Sequence, residues 1–197
     1  LTIQNKDQND FVSEVDRQAE QIVVRALQRA YPDHTFLGEE GGRQGANSDY
    51  EWVIDPLDGT TNFLYGIPHF SVSVALKHKG RLAVGVVYDP LRDETFAAAR
   101  GDGATLNGRR LRVSERPSLQ NALLGTGGQN LDLYLQTLKV LVPETAGIRR
   151  AGSAALDLAY VAAGRFDGFW EFGLKEWDMA AGALIVQEAG GLLGDMS

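Results

Sequence analysis

The chain has 197 residues, 44% of them hydrophobic, with a formal charge of −7 and no cysteine. That is length enough for one well-buried core, while the acidic balance argues against a broad nucleic-acid surface, which depends on clustered Lys and Arg. Without thiols there is no disulfide framework, thiolate nucleophile or cysteine zinc site; no apolar run approaches the roughly 18 residues of a membrane span and no charged-then-apolar leader is visible, so a cytoplasmic location is expected.

From Ala19 the apolar positions Ala19, Ile22, Val23, Ala26, Leu27 and Ala30 follow the stripe of an amphipathic helix that should end near Tyr31-Pro32. Phe36-Leu37 reads as a short strand delivering Glu39. The stretch Gly41-Gly42-Arg43-Gln44-Gly45-Ala46-Asn47-Ser48 reads as a flexible loop, with a glycine-rich phosphate cradle as the sharper alternative. Trp52-Val53-Ile54 is strand-like and runs into Asp55-Pro56-Leu57-Asp58-Gly59-Thr60-Thr61-Asn62-Phe63, leaving two carboxylates at a strand's carboxyl end. Open α/β sheets place their ligands there. Phe70 to Leu76, Leu82 to Tyr88 and Thr95 to Ala99 are strand candidates separated by Lys79-Gly80 and Asp89-Pro90, an antiparallel meander, and Asn107-Gly108 marks a tight turn. Leu131 to Val142 is helical in pattern, Ala154 to Ala163 is a small-residue helix, and Phe166 to Phe172 is a further strand. Asp178 opens the last helix, with Gly190-Gly191 as its C-cap. His34, His69 and His78 show no paired metal spacing and are given no role.

The Asp55 run has a chemical reading of its own. Hard divalent cations such as Mg2+ take oxygen ligands and keep several waters, so one or two carboxylates plus phosphate oxygens suffice. Pro56 fixes its own φ and pushes Asp55 towards an extended backbone, so both aspartates, with the Leu57 carbonyl between them, can face one point. Gly59 permits close backbone approach. A short helix opening at Gly59-Thr60-Thr61 would aim its free N–H groups at an anion. A plain acidic surface turn is the alternative for two aspartates at this spacing. Glu39 alone could likewise be a solvated charge, Asp178 alone an N-cap, and Arg149-Arg150 a solvated basic pair or a partner contact.

The run Trp52 to Phe63 resembles the signature of the inositol monophosphatase family of Mg2+-dependent phosphatases. Trp177-Asp178-Met179-Ala180-Ala181-Gly182-Ala183 followed by Glu188-Ala189-Gly190-Gly191 resembles the family's C-terminal motif, and Gly38-Glu39-Glu40 and Asp10-Phe11-Val12-Ser13-Glu14-Val15-Asp16 match two further motifs in order. Gly152 to Arg165 looks most like the bacterial inositol-1-monophosphatase type.

The resemblance implies an α/β fold, a layered α-β-α-β-α sandwich of the sugar-phosphatase type. It implies a metal-binding lobe at 1–118 and a smaller α/β lobe at 119–197 contributing Asp178. The chain looks incomplete at both ends, with a new strand starting at Asp195-Met196-Ser197, and relatives carry further residues between Gly127 and Asn130. By carry-over, Glu39, Asp55 and the Leu57 carbonyl hold one Mg2+, and Asp55, Asp58 and Asp178 a second; two or three ions and lithium sensitivity are expected. Two such cations, about 3.5–4 Å apart, would clamp the attacking and leaving oxygens of an in-line displacement. Thr60 holds the attacking water with Glu39, and Asp16 hydrogen-bonds Thr60. Gly59, Thr60 and Thr61, the backbone of Gly152, Ser153 and Ala154, and Asp178 border the substrate, with Glu171 accepting from polyol hydroxyls. Myo-inositol monophosphate is the first substrate expected. Fructose bisphosphate, a phosphoadenosine nucleotide or histidinol phosphate are sister specificities. A homodimer is expected, with no membrane contact and no direct nucleic-acid binding, and a second role beside RNA polymerase in ribosomal RNA antitermination is the rival of another class.

Overall fold

The structure is a computed structural model that describes residues 3–7, 10–128 and 130–194. Gln129, in the segment where extra residues are expected, and the strand expected at Asp195-Met196-Ser197 lie outside the described residues. The elements in chain order are β1 (Ile3–Asp7), β2 (Asp10–Ser13), α1 (Glu14–Ala30), β3 (Thr35–Gly38), β4 (Gly42–Gly45), β5 (Tyr50–Asp58), α2 (Thr60–Leu64), β6 (Ser71–His78), β7 (Arg81–Asp89), β8 (Glu94–Ala99), β9 (Gly103–Leu106) and β10 (Arg109–Arg110). There follow β11 (Leu123–Thr126), α3 (Leu131–Leu141), a 3-10 turn at Val142–Glu144, β12 (Gly147–Arg149), α4 (Ala154–Ala162), β13 (Gly168–Trp170) and α5 (Glu176–Glu188).

An eight-stranded sheet runs in the order β10-β9-β8-β7-β6-β5-β3-β4, and a three-stranded parallel sheet in the order β12-β11-β13. From β5 to β10 the large sheet is the expected antiparallel meander, whereas β3 and β5 are parallel. Lys79-Gly80 and Asn107-Gly108 turn with positive φ at both residues of each pair, the backbone that twisted two-residue hairpins require. The stretch expected to be a loop after Gly41 is instead the edge strand β4, paired antiparallel with β3. Pairing with β3 commits the amides on one side of Gly42–Gly45 to the sheet, which argues against the phosphate-cradle alternative there.

Period-two alternation along β5 divides its side chains between two cores. Trp52 and Ile54 pack with Val24 of α1 and Phe36 on one face. Val53 joins the larger core on the other, built from β6 to β9, α4 and α5. Helix α5 lies against that face so closely that a Cβ on Gly85 of β7 would stand 2.8 Å from the Ala181 carbonyl oxygen. At its far end the Gly190 and Gly191 amides donate to the Gln187 and Val186 carbonyls, 3.0 and 2.9 Å, with Gly190 at φ 92; this is a Schellman closure. Helix α4 bridges from α5 to the small sheet, and α3 carries no buried residue. The result is a layered α/β sandwich. No helix among the described residues is long and apolar enough to cross a membrane.

Two sequence expectations change. On α1 the buried residues are Asp16, Glu20 and Val24, while Ile22 is 69% exposed. The buried face is thus partly carboxylate, because hydrogen-bond donors wait opposite it. Helix α5 starts at Glu176 with Lys175 as N-cap, so Asp178 sits at the third helical position, where its Oδ2 accepts the Lys175 N–H at 2.6 Å.

Candidate active site

Strand β5 ends in a register shift between Asp55 and Asp58 where it pairs with β6. Pro56 brings no N–H to the ladder, and Asp55 Oδ1 accepts the Leu57 N–H at 3.0 Å. This local ring turns the chain so that Asp55, on the Val53 face, looks towards the start of α5. Gly59 follows with φ 96, and its Cβ would lie 3.1 Å from the Gly152 carbonyl oxygen. A side chain there would hold the two segments apart. Helix α2 opens at Thr60, with Thr61 exposed to solvent.

Asp58 faces the start of α4. Ser153, the N-cap of that helix, donates its hydroxyl to Asp58 Oδ2 at 2.5 Å, and the Ala155 N–H donates to the same oxygen at 2.7 Å. A carboxylate at a helix N-terminus is stabilised by free amides and by the dipole. Buried Asn62 ties this corner together, donating from Nδ2 to the His69 carbonyl at 2.7 Å and the Ala151 carbonyl at 2.8 Å. Of the residues expected beside the substrate, Gly152 packs against Gly59 and Asn62, and Ser153 adjoins Asp58 with its hydroxyl spent on the aspartate.

The Thr60 hydroxyl lies 2.9 Å from Asp16 Oδ1 and 3.0 Å from the Leu57 carbonyl oxygen. Both neighbours are acceptors and the hydroxyl has one proton, so Thr60 donates inward and keeps lone pairs to accept from another molecule. Asp16 is 1% exposed. Glu39, half-buried, follows β3, and its N–H donates to the Ile54 carbonyl at 3.1 Å.

Electrostatics join the acidic groups into one site. Burial pushes Asp55 well above the usual carboxylate range, and the charges of Asp58, Glu39 and Asp178 push it further. Asp58 is lifted to about 7, by burial first and also by Asp178 and Asp157, against the lowering pull of the Ser153 and Ala155 bonds. Burial, with Asp58, Asp157 and Asp178 nearby, also raises Glu171 to about 7, opposed by Arg150. The Glu171 carboxylate packs where a Cβ on Gly127 would be 2.1 Å from Oε2. Buried Asp157 stands 3.6 Å from His69 Nε2, too far for a hydrogen bond. Burial raises the Asp157 value and His69 offsets it.

Among the described residues no three His, Cys, Asp or Glu side chains already stand as a group that could hold an ion. Instead Asp55, Asp58 and Asp178 each turn an oxygen to a backbone donor. Their chemistry nevertheless fits a hard cation: four carboxyl groups, two of them buried, repel one another, and only bound positive charge relieves that repulsion without protonation.

Three parts of this site carry no signal of their own in the sequence. Asn62 is one letter of a longer motif, His69 has no paired metal spacing, and Glu20 is masked by the apolar stripe; nothing local in the sequence reports that a helical glutamate faces inward.

The fold and the acidic site define the class: the chain belongs to the inositol monophosphatase family, whose model matches residues 1–197. Membership supports a phosphatase. The Nus factor SuhB of Pseudomonas aeruginosa is 63% identical over 207 residues, spanning 100% of this chain and 76% of the relative. The inositol-1-monophosphatase of Rhizobium meliloti is 53% identical, spanning 97% of this chain and 74% of that protein. Among solved structures, the extragenic suppressor protein suhB of Bartonella henselae superposes with a TM-score of 0.94 at 51% identity, covering 96% of this chain and 75% of the other.

Proposed function

We propose that the protein is a Mg2+-dependent phosphatase that hydrolyses a small polyol or sugar phosphate, with myo-inositol monophosphate first. Support comes from the mutual repulsion of Asp55 with Asp58, Glu39 and Asp178 around one buried carboxyl. Glu39, Asp55, the Leu57 carbonyl, Asp58 and Asp178 would hold Mg2+, which when bound supplies charge to neutralise the phosphate and lower the pKa of water. The chain's own groups position the reaction. Thr60, its proton committed to Asp16 or the Leu57 carbonyl, accepts a hydrogen bond from the attacking water. Glu39 accepts the other proton. The water oxygen then bonds to phosphorus in line as the ester oxygen leaves and takes a proton from solvent water to become the alcohol, and Glu39 returns its proton to solvent. Glu171 accepts from polyol hydroxyls, and the start of α4 at Gly152-Ser153-Ala154 and the start of α2 at Gly59-Thr60-Thr61 border the phosphoryl group.

The test is phosphate release from inositol 1-phosphate, fructose 1,6-bisphosphate, a 3′-phosphoadenosine nucleotide and histidinol phosphate, each with Mg2+ and with chelator. Absence of Mg2+-dependent release from all four would end the phosphatase reading. The name Nus factor SuhB of the Pseudomonas aeruginosa relative supports a second reading, a partner role in transcription antitermination. Retention of purified RNA polymerase by the immobilised chain is its assay. Exposed Leu131, Leu133, Leu135 and Val140 on α3 are apolar surface that a second copy would bury, so a homodimer is part of the proposal, to be read by sedimentation.

A further inference from the structure

The turn that carries Glu39 is held by a side chain from another element. Glu20 lies one turn after Asp16 on the same face of α1 and is 4% exposed. Its Oε2 accepts the Glu40 N–H at 2.9 Å and its Oε1 the Gly41 N–H at 2.7 Å. With the Glu39 N–H on the Ile54 carbonyl at 3.1 Å, three successive amides are fixed, one by β5 and two by Glu20. The carboxylate fits without spare room: a Cβ on Gly38 would stand 2.3 Å from Oε2, and one on Gly41 2.6 Å from Oε1. Gly38 and Gly41 together therefore let the carboxylate into the turn.

Carboxylate to amide bonds of this kind are about twice as strong as neutral ones. A contact that merely fastened α1 to the sheet would explain their presence. The same helix, however, also holds Thr60, through Asp16 at 2.9 Å. Asp16 and Glu20, about 6 Å apart along the axis at 1.5 Å per residue, grip the two segments that carry Thr60 and Glu39. We propose that Glu20 is a positioning residue that sets Glu39 against Thr60, with α1 as the common mount. This rests on the phosphatase reading above.

Calorimetric titration of Mg2+ alone into the full chain gives the ion's Kd, and thermal unfolding in chelator monitors the fold. Glu20→Ala is expected to raise the Kd by about 10- to 100-fold, the usual effect of removing a group that orients a metal ligand. It should lower kcat while leaving KM for inositol 1-phosphate unchanged. Glu20→Gln, isosteric and so the guard against misfolding, keeps one acceptor and turns an NH2 donor against the other amide, and should weaken Mg2+ several-fold. Gly38→Ala should act like Glu20→Ala in the native background but add nothing to it, because the clash is with the carboxylate that Glu20→Ala removes. A Kd within twofold of the native value for both Glu20 variants overturns the proposal. So does a lowered melting temperature with Mg2+ affinity and kcat intact, or effects of Gly38→Ala and Glu20→Ala that multiply. A native chain that takes up no Mg2+ overturns the phosphatase reading and this inference with it, which distinguishes the two failures.

Discussion

In the absence of metal the protein should become more stable as pH falls from 8 to 5, opposite to ordinary acid denaturation. Asp58 and Glu171 are both lifted to about 7, chiefly by burial, whereas in the unfolded chain they ionise near 3.8 and 4.5. Between those values the folded state binds more protons than the unfolded one. The stability each contributes is fully present below its unfolded value and is lost as pH rises through about 7. One pKa unit is about 1.4 kcal/mol, so moving from pH 8 to pH 5 gains about 2–3 kcal/mol per group by the same linkage. The two groups repel, so their joint effect falls short of the sum. At about 2–4 °C per kcal/mol for a chain of this size, the melting temperature should rise by roughly 5–10 °C. Calorimetric scans in chelator at pH 8, 7, 6 and 5 measure it. Asp58→Asn, which keeps an oxygen for Ser153 and Ala155 but cannot ionise, should flatten the slope, and Mg2+ should stabilise the native chain most at pH 8. A melting temperature that stays level or falls between pH 8 and pH 5, or an unchanged slope in Asp58→Asn, would refute the reasoning.

Asp55→Asn should weaken Mg2+ binding and abolish turnover together; calorimetry beside phosphate release tests whether the two losses coincide. Thr60→Ala should lower kcat by about two to three powers of ten with Mg2+ affinity nearly intact, and Asp16→Asn should act in the same direction but less; near-native turnover of Thr60→Ala at saturating Mg2+ would dismiss the assigned water path. Glu171→Gln should lower kcat/KM for inositol 1-phosphate more than for a phosphate ester without hydroxyls, and an unchanged ranking of the two would return Glu171 to a structural role. Asn62→Ala leaves the His69 and Ala151 carbonyls without their donor and should cost about 1–3 kcal/mol, read from denaturant unfolding.

Much of the fold was legible because its signals are local. The meander follows from alternation interrupted by Lys79-Gly80 and Asn107-Gly108, and the α5 closure from Gly190-Gly191. The expected strand at 166–172 shortens to Gly168–Trp170. Edge strand β4 was illegible for the opposite reason: Gly42-Arg43-Gln44-Gly45 has neither apolar alternation nor β-branched residues, and only pairing with β3 makes it a strand. The same division runs through the site. Asp55, Asp58, Thr60 and Glu39 could be picked out because their neighbours spell motifs. Glu20 could not, since its partners are backbone amides 20 and 21 residues away, and a backbone amide leaves no letter in the sequence. Asp178, expected to open α5, stands two residues inside it, because Lys175 caps the helix where an acidic or hydroxyl side chain is the usual signal.

The closeness of α5 to Gly85 bears on tolerance. With no side chain between helix and strand at that point, the gap is set by backbone against backbone, a spacer of fixed thickness that neither repacking nor rotamer change can adjust. Asp178 rides on the same rigid helix three residues before Ala181, so whatever lifts the helix at Gly85 also lifts the carboxylate away from Asp55. A methyl group added at Gly85, on a strand that carries none of these carboxylates, would thus be read out as a misaligned acid within one helical turn of the contact.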